Sequence, residues 1–334
     1  MRVKISAIAS ALPEKVVTSA EVEQRVMNYS PSIKVPTGIL QSLTGIKTRR
    51  FVEDHVNTSD LAAEACKKVL ARTATSPDEI DLFIFASAGQ DLTEPATSHI
   101  TQYKVGSNGA VMDIKNACNS FINGIQAAEA MIMTGQYRKA LVAVGETPSK
   151  CIKWHVKDKK DLRLSFPGYT FGDGGAAALL ELTEEKTGLF YRKFHAYSQH
   201  WNIGTLPGGG SMHPRGEEYT YFQGDGTALK DAFVELGPNL LRDALRQTNT
   251  SFEDYARIFV HQVTVPFLEQ FMEVCKVPAD KVVVTLPQYG NMAAASLPVG
   301  FALAESRGEV KKGDKVMFIG LAGGISVGLM MFQY

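Results

Sequence analysis

The strongest constraint on how this chain folds is an alternation that runs its whole length. Short runs of adjacent apolar residues are followed by longer segments in which apolar residues recur at helical spacing. Residues 81–87 (DLFIFAS) are apolar at consecutive positions, so a strand there is buried on both faces. Residues 3–9, 110–114, 140–144 and 176–182 read as further strands, and the second half adds 256–260, 282–285, 315–319 and 326–332. Between them lie predicted helices. One opens at Asn57-Thr58-Ser59-Asp60 and carries Ala62, Ala63, Cys66, Val69 and Leu70 on one face. Residues 119–134 form another, around Phe121, Ile125, Ala128 and Ile132. Residues 228–246 carry Phe233, Leu236, Leu240, Leu241 and Leu245, and 266–274 and 292–306 complete the set. Strands buried on both faces need helices on both faces, which predicts an α/β layered architecture.

The polar run 181–187 (ELTEEKT) separates two strand-like runs. It predicts a division near residue 184, into an N-terminal half at 1–184 and a C-terminal half at 185–334. Residues 150–169 and 204–226 read as long loops, which compact proteins keep mainly where a site uses them.

Composition removes several classes of function. Lys plus Arg and Asp plus Glu each number 35, so no net field draws the chain to nucleic acid or to an anionic membrane. No stretch of about 18 apolar residues exists to span a bilayer. The apolar run 5–12 precedes Pro13-Glu14-Lys15 without a small-residue cleavage site, so it reads as a first strand rather than a signal peptide. The four cysteines, Cys66, Cys118, Cys151 and Cys275, form no Cys-x-x-Cys pair. They predict no disulfide framework and a cytoplasmic setting. No cluster has metal-ligand spacing, so neither metal nor cofactor is expected.

A few residues stand where chemistry is possible. Cys118 opens the helix at 119–134, where the helix dipole and free N–H groups are expected to lower its pKa and favour the thiolate. A buried structural thiol is the alternative, and it suits Cys66 and Cys275 better. His261 follows a strand, as an acid–base group or as a core histidine. Asn291, after Gly290 and before small residues, reads as a tight turn into a helix, where an Asn usually serves as the N-cap. Gly323 and Gly324 separate two strands, as a hairpin turn or as an N–H aimed at an oxyanion. Phe171-Gly-Asp-Gly-Gly lacks the Lys-Ser/Thr of a phosphate loop and reads as close backbone packing beside a site.

In order, Thr44-Gly-Ile-Lys-Thr-Arg-Arg, Asn116-Ala-Cys-Asn-Ser-Phe, Phe171-Gly-Asp-Gly-Gly-Ala-Ala, His261-Gln, Gly290-Asn-Met-Ala-Ala-Ala-Ser and Ala322-Gly-Gly-Ile-Ser-Val-Gly resemble the thiolase-fold condensing enzymes. The likeness is closest to the beta-ketoacyl-acyl-carrier-protein synthase III branch. It implies two fused halves in a five-layer α-β-α-β-α core and a homodimer. It also implies a Cys118–His261–Asn291 triad, with Cys118 acylated by an acyl-CoA or acyl-carrier-protein thioester. The N–H groups of Cys118 and Gly323 would form the oxyanion hole, with Phe171, Asn116 and Gly290 at the substrate. Two of the departures from the primer-using pattern are Ile39 and Leu43, which replace the Trp and Arg that clamp the CoA nucleotide; others are His261-Gln-Val-Thr in place of His-Gln-Ala-Asn and the loss of the following Arg near Pro266.

Leu92-Thr-Glu-Pro-Ala-Thr-Ser, with Phe121 to Gly124, resembles the head-to-head acyl-condensing branch of olefin-pathway thiolases and pyrone-forming ketosynthases. There Glu94 would act in trans as a base; alternatively it is a solvated loop carboxylate before Pro95. The expectation is a ketosynthase of lipid or polyketide biosynthesis that condenses two acyl thioesters. The alternatives are a malonyl-dependent decarboxylative synthase, an acyltransferase to oxygen or nitrogen, a papain-like protease and an inactive partner subunit.

Overall fold

The computed structural model describes the backbone of all 334 residues, and the side chains of all but Ala232, Val234, Glu235 and Leu236. Two main sheets divide the chain. The first holds β1 (Arg2–Ala11), β2 (Leu82–Ala86), β3 (Ala110–Ile114), β4 (Lys139–Glu146) and β5 (Gly174–Thr183) in the order β1-β5-β4-β2-β3. The second holds β6 (Gly188–Ala196), β7 (Arg257–Val260), β8 (Lys315–Ala322) and β9 (Ser326–Gln333) in the order β7-β8-β9-β6. Pairs β2–β3, β2–β4 and β7–β8 are parallel, and the remaining neighbours are antiparallel.

The period of two sorts each strand between two cores. In β2, Leu82, Ile84 and Ala86 enter the central core while Phe83 and Phe85 enter the outer one. In β8, Val316 and Phe318 point to the centre and Met317, Ile319 and Leu321 point away. Six helices fill the layers these faces create. They are α1 (Thr58–Thr73), α2 (Thr97–Val105), α3 (Ser120–Met133), α4 (Gly226–Thr248), α5 (Val265–Cys275) and α6 (Ser296–Ser306). Between the sheets, α3 brings Phe121, Ile122 and Ile125, and α6 brings Leu297, Val299 and Phe301. Helix α1 covers the outer face of the first sheet through Cys66, Val69 and Leu70. Helices α4 and α5 cover the second through Phe233, Leu241, Phe267 and Phe271. Of the stripe expected on α4, the Leu236 side chain lies outside the described residues.

The result is the five-layer α-β-α-β-α stack. Helix α6 shows what a middle layer requires. Leu297, Pro298, Val299, Gly300, Phe301, Ala302 and Ala304 are all buried, so apolar residues surround it rather than forming one stripe. The Phe301 ring lies 4.9 Å from Tyr334 and 6.1 Å from Phe318, centroid to centroid. Burial of each such ring contributes about 1.5–3 kcal/mol.

Three of the segments that differ from the sequence expectation show why. Residues 282–285 join no sheet beyond a single bridge from Val282 to Ile258. Their backbone is taken by a side chain instead: the Gln262 amide donates to Val283 O (2.6 Å) and accepts from the N–H groups of Thr285 and Leu286 (3.0 Å each). Helix α2 has no apolar stripe to announce it. The Asp113 carboxylate nucleates it from outside by accepting from Thr97 N–H (2.9 Å) and Ser98 N–H (2.8 Å). Residues 150–169 hold a short helix, Lys159–Ser165, capped by Asp158. Among the described residues, no helix is long and apolar enough to cross a membrane.

Candidate active site

Loops at the ends of β2, β3, β4, β7 and β8 surround a cavity of about 1150 Å³. Cys118, His261, Asn291, Gly323 and Phe171 all line it. Residues more than 200 positions apart in the chain therefore meet in one chamber.

Cys118 sits in the turn between β3 and α3. Ser120 holds that turn closed: its hydroxyl donates to Ala117 O (2.7 Å) and accepts from Asn116 N–H (2.8 Å). Ala117 is forced to φ +45°, a left-handed conformation costing about 1–2 kcal/mol, in order to present the next residue. Behind the turn, Asn119 is fully buried and donates to Ser326 O (3.1 Å) and Ser326 Oγ (2.9 Å). A side chain at Gly320 would collide with Asn119 Oδ1, so that glycine lets the turn dock on β8 and β9.

The thiol does not have the expected character. Burial first, and the charge of Glu146 second, push the Cys118 thiol up to about 12. The N–H groups of Gly323 and of Cys118 itself act on the sulfur in the opposite direction and are outweighed. Cys118 precedes the helix cap Asn119, outside the first turn where a dipole acts most strongly. The resting group is a neutral thiol.

His261 follows β7, its N–H bonded to Ile319 O (2.9 Å). The ring is buried, Nδ1 has no hydrogen-bond partner, and burial pushes its pKa down to about 4. It is a neutral imidazole at pH 7. Asn291 is held from both sides: its N–H bonds Thr170 O (2.8 Å) and its Oδ1 accepts from Ala293 N–H (3.0 Å). That bond satisfies the oxygen in the manner of a cap, leaving the Nδ2 hydrogens free. Gln262 braces the same region through the contacts described above.

Phe171 lines the cavity and packs edge-on against Phe222, 5.2 Å between centroids. Asn116 and Gly290 do not line it. The Asn116 amide turns toward Asn123 (2.8 Å), so it supports the cysteine turn rather than a ligand. Gly290, at φ +69°, packs where a side chain would meet Thr170 O at 2.8 Å. The Gly-Asp-Gly-Gly run packs as closely as expected: a side chain on Gly172 would overlap Tyr289 O, and one on Gly174 would lie 2.8 Å from Met292 Sδ.

Glu94 is exposed and does not line its own chain's cavity, although Leu92 and Thr93 do. It sits on a loop pinned at its base. Asp91 N–H donates to Thr97 Oγ1 (3.1 Å), and the Asp91 carboxylate accepts from Thr58 Oγ1 (2.6 Å). Of the departures, Leu43 lines the main cavity, and with Ile39 it also lines an apolar side cavity of about 210 Å³.

Sequence reasoning missed Glu146. It ends β4, is almost fully buried, and lines the cavity. Burial pushes its carboxyl up to about 7, although several backbone N–H groups act to lower it. The one signal was a carboxylate one glycine beyond the continuous apolar run at 140–144. Among the described residues, no group of three or more His, Cys, Asp or Glu is placed to hold a metal ion.

Residues 112–198 match the family described as 3-oxoacyl-[acyl-carrier-protein] synthase III, and residues 245–334 match its C-terminal counterpart. Beta-ketoacyl-[acyl-carrier-protein] synthase III of Desulfitobacterium hafniense strain Y51 is 32% identical over 99% of this chain and 98% of its own. The same-named protein of Erythrobacter litoralis is 31% identical over the full length of both. Among solved structures, the 3-oxoacyl-[acyl-carrier-protein] synthase III of Aquifex aeolicus matches with a TM-score of 0.85 at 25% identity, over 99% of this chain and 100% of that one. Xanthomonas campestris OleA, crystallised with lauric acid and lauroyl-CoA, matches with a TM-score of 0.90 at 23% identity, over 100% of this chain and 99% of that one, and shares the fold. Full-length likeness, the five-layer stack and the chamber that gathers Cys118, His261 and Asn291 lead to one assignment: the chain belongs to the beta-ketoacyl-[acyl-carrier-protein] synthase III family of thiolase-fold condensing ketosynthases.

Proposed function

We propose that the chain joins two acyl thioesters by a Claisen condensation through an acyl-Cys118 intermediate. The observation that carries this reading is the convergence at one cavity of the Cys118 thiol with Gly323, His261 and Asn291 in the same walls. In the first half-reaction the thioester carbonyl oxygen lies against the N–H groups of Cys118 and Gly323. Sulfur attacks the carbonyl carbon as neutral His261 takes the thiol proton. The carrier thiolate then leaves and recovers that proton, so acyl-Cys118 and a free carrier thiol result. In the second, an enolate of the other thioester is held by His261 and by Asn291 Nδ2. Its α-carbon attacks the acyl-Cys118 carbonyl, the Cys118 thiolate is expelled, and it takes up the proton removed from the α-carbon to regain the thiol.

The enolate needs a base, and we assign it to Glu94 of the partner subunit. Support comes from the placement of Glu94 outside its own cavity, on a loop whose neighbouring residues reach the cavity mouth. A homodimer is supported by β3, an edge strand whose outer side pairs with nothing among the described residues, and by Tyr103, 87% exposed on the adjacent α2. Lys115, Lys150, Lys159, Arg163 and Lys230 line the cavity and favour the phosphate groups of a CoA or carrier-protein thioester. No metal or cofactor enters these steps.

Full-length identity to synthase III proteins favours a second reading, in which loss of CO2 from a malonyl thioester generates the enolate and Glu94 is idle. Products and intact protein are followed by mass spectrometry, with and without a malonyl thioester. Head-to-head condensation predicts product without malonyl, and loss of product but not of acyl-Cys118 in Glu94→Gln. Product only with malonyl, unchanged in Glu94→Gln, supports the second reading.

A further inference from the structure

The turn that carries Glu94 has an exposed tip and an anchored base. Leu92, Thr93, Glu94 and Pro95 are all exposed. Asp91, directly before them, is fixed through both its backbone and its side chain. Its N–H donates to Oγ1 of Thr97 (3.1 Å), the first residue of α2. Its Oδ1 accepts from Thr58 Oγ1 (2.6 Å) and from Ser59 N–H (3.1 Å), at the start of α1. Its Oδ2 accepts from Ser59 Oγ. Thr97 is held in turn, because its own N–H donates to Asp113 Oδ2 (2.9 Å) on β3.

The direction of these bonds carries the anchor to the far end of α2. Lys104 Nζ, in the last turn of that helix, donates to Ser59 Oγ (2.7 Å) and to Asp60 Oδ1 (2.6 Å). An ammonium only donates, so the one hydroxyl hydrogen of Ser59 is left for Asp91. Asp91 is thus tied to the first residue of α2 directly, and to its last turn through Ser59 and Lys104. Helix α2 lies against the edge strand β3 and exposes Tyr103, on the face proposed for the partner subunit.

The residue type follows from the bonds. Every group that reaches the Asp91 side chain is a donor, and a carboxylate offers acceptor lone pairs on both oxygens with no hydrogen of its own. Asparagine has the same shape but sets an NH2 group against one of those donors. Asp91 also lines the chamber, yet its oxygens are engaged by α1, whereas Glu94, three residues further on, is exposed.

We propose that Asp91 is a positioning residue for the proton-abstraction step: it holds the Glu94 turn in register with α2, so that docking of α2 on the partner subunit also delivers Glu94 to the partner's chamber. This rests on Glu94 acting in trans as the base. Acylation of Cys118 needs no base from that turn, so only enolate formation feels the loss of Asp91.

Wild type, Asp91→Asn, Glu94→Gln, the variant carrying both changes, and Lys104→Met are compared. Acyl-Cys118 is timed by intact-protein mass spectrometry and condensed product is timed in the same samples, with a thermal melt for each chain. Asp91→Asn and Glu94→Gln are expected to acylate Cys118 at the wild-type rate. Product formation in Asp91→Asn falls about 10–100-fold, the scale set by a displaced reacting group. The double variant is no slower than Glu94→Gln, because Asp91 acts through Glu94 alone. Lys104→Met, which unties only the far end of α2, shows the same pattern with a smaller loss. A purely structural Asp91 would lower acylation and product together, or slow the double variant further, and either result overturns the proposal. So does product formation at the wild-type rate in Asp91→Asn. If Asp91→Asn does not fold, Lys104→Met decides: slower product with normal acylation upholds the proposal, and any other result overturns it. Product formation at the wild-type rate in Glu94→Gln overturns the assignment of the base, and this inference with it.

Discussion

The two halves of the chain build their sheets on one plan and equip the chamber differently. The first half brings Cys118 and Glu146, a nucleophile beside a buried carboxylate, both held by hydrogen bonds between side chains and backbone. The second half brings His261, Asn291 and the Gly323 N–H, none of which carries charge at pH 7. Burial first and the carboxylate second raise the thiol, and burial lowers the imidazole, so their protonation states move apart. The lesson is that a dipole at a helix start, read locally, does not decide the state of a nucleophile. Tertiary neighbours contributed by other strands do.

The comparison breaks most visibly at the nucleophile. Cys118→Ala abolishes acyl-enzyme and product together while the melting temperature moves little, since the side chain is small and half-buried. Intact mass, product analysis and a thermal melt check this. His261→Ala is next. General acid–base contributions run to about 10²–10⁴-fold, and a loss of that order in condensation is expected, with slower acylation as well. Normal acylation in that variant would show that the thiol loses its proton without help from the second half.

The pH dependence of stability sharpens the same contrast. The His261 pKa lies at about 4 in the folded chain against 6.5 for the free side chain. Between those values the unfolded chain binds a proton that the folded chain does not, so stability falls as pH drops through this window. Melts of wild type and His261→Ala from pH 7 to 4 should show the wild type losing more. The other titrating groups are common to both chains and cancel in the difference. The smallest effect belongs to the packing that joins the halves. A methyl group on Gly172 overlaps Tyr289 O, so Gly172→Ala should cost about 1–3 kcal/mol in a denaturant melt, as overpacking does.

Much of the layered core was legible. The run 81–87 announced a strand buried on both faces, and Phe83 and Phe85 indeed enter a different core from Leu82 and Ile84. Elements stabilised by distant side chains were not. Residues 282–285 carry every mark of a strand, but the Gln262 amide takes their hydrogen bonds. Helix α2 depends on Asp113, more than ten residues downstream, and its own residues give no period to read. At the site, the motifs brought Cys118, His261, Asn291, Phe171 and Gly323 to one cavity. Asn116 and Gly290 share those motifs but serve the turns beneath. Glu146 escaped because a carboxylate after an apolar run reads as the solvent end of a strand. Only its donors, Ala88 and Gly89 on a loop far upstream in sequence, mark it as buried.

The uncharged resting state of Cys118 has a consequence for what the protein tolerates. Peroxide and soft alkylating agents consume thiolates, and a thiol held near 12 offers almost none of that form at neutral pH. Small electrophiles that diffuse into the chamber should find little to react with. A molecule that places a carbonyl oxygen between the Cys118 and Gly323 N–H groups brings its own activation. Durable covalent inhibitors of this site should therefore be shaped like its acyl donor, and selected for how they seat that oxygen rather than for intrinsic reactivity.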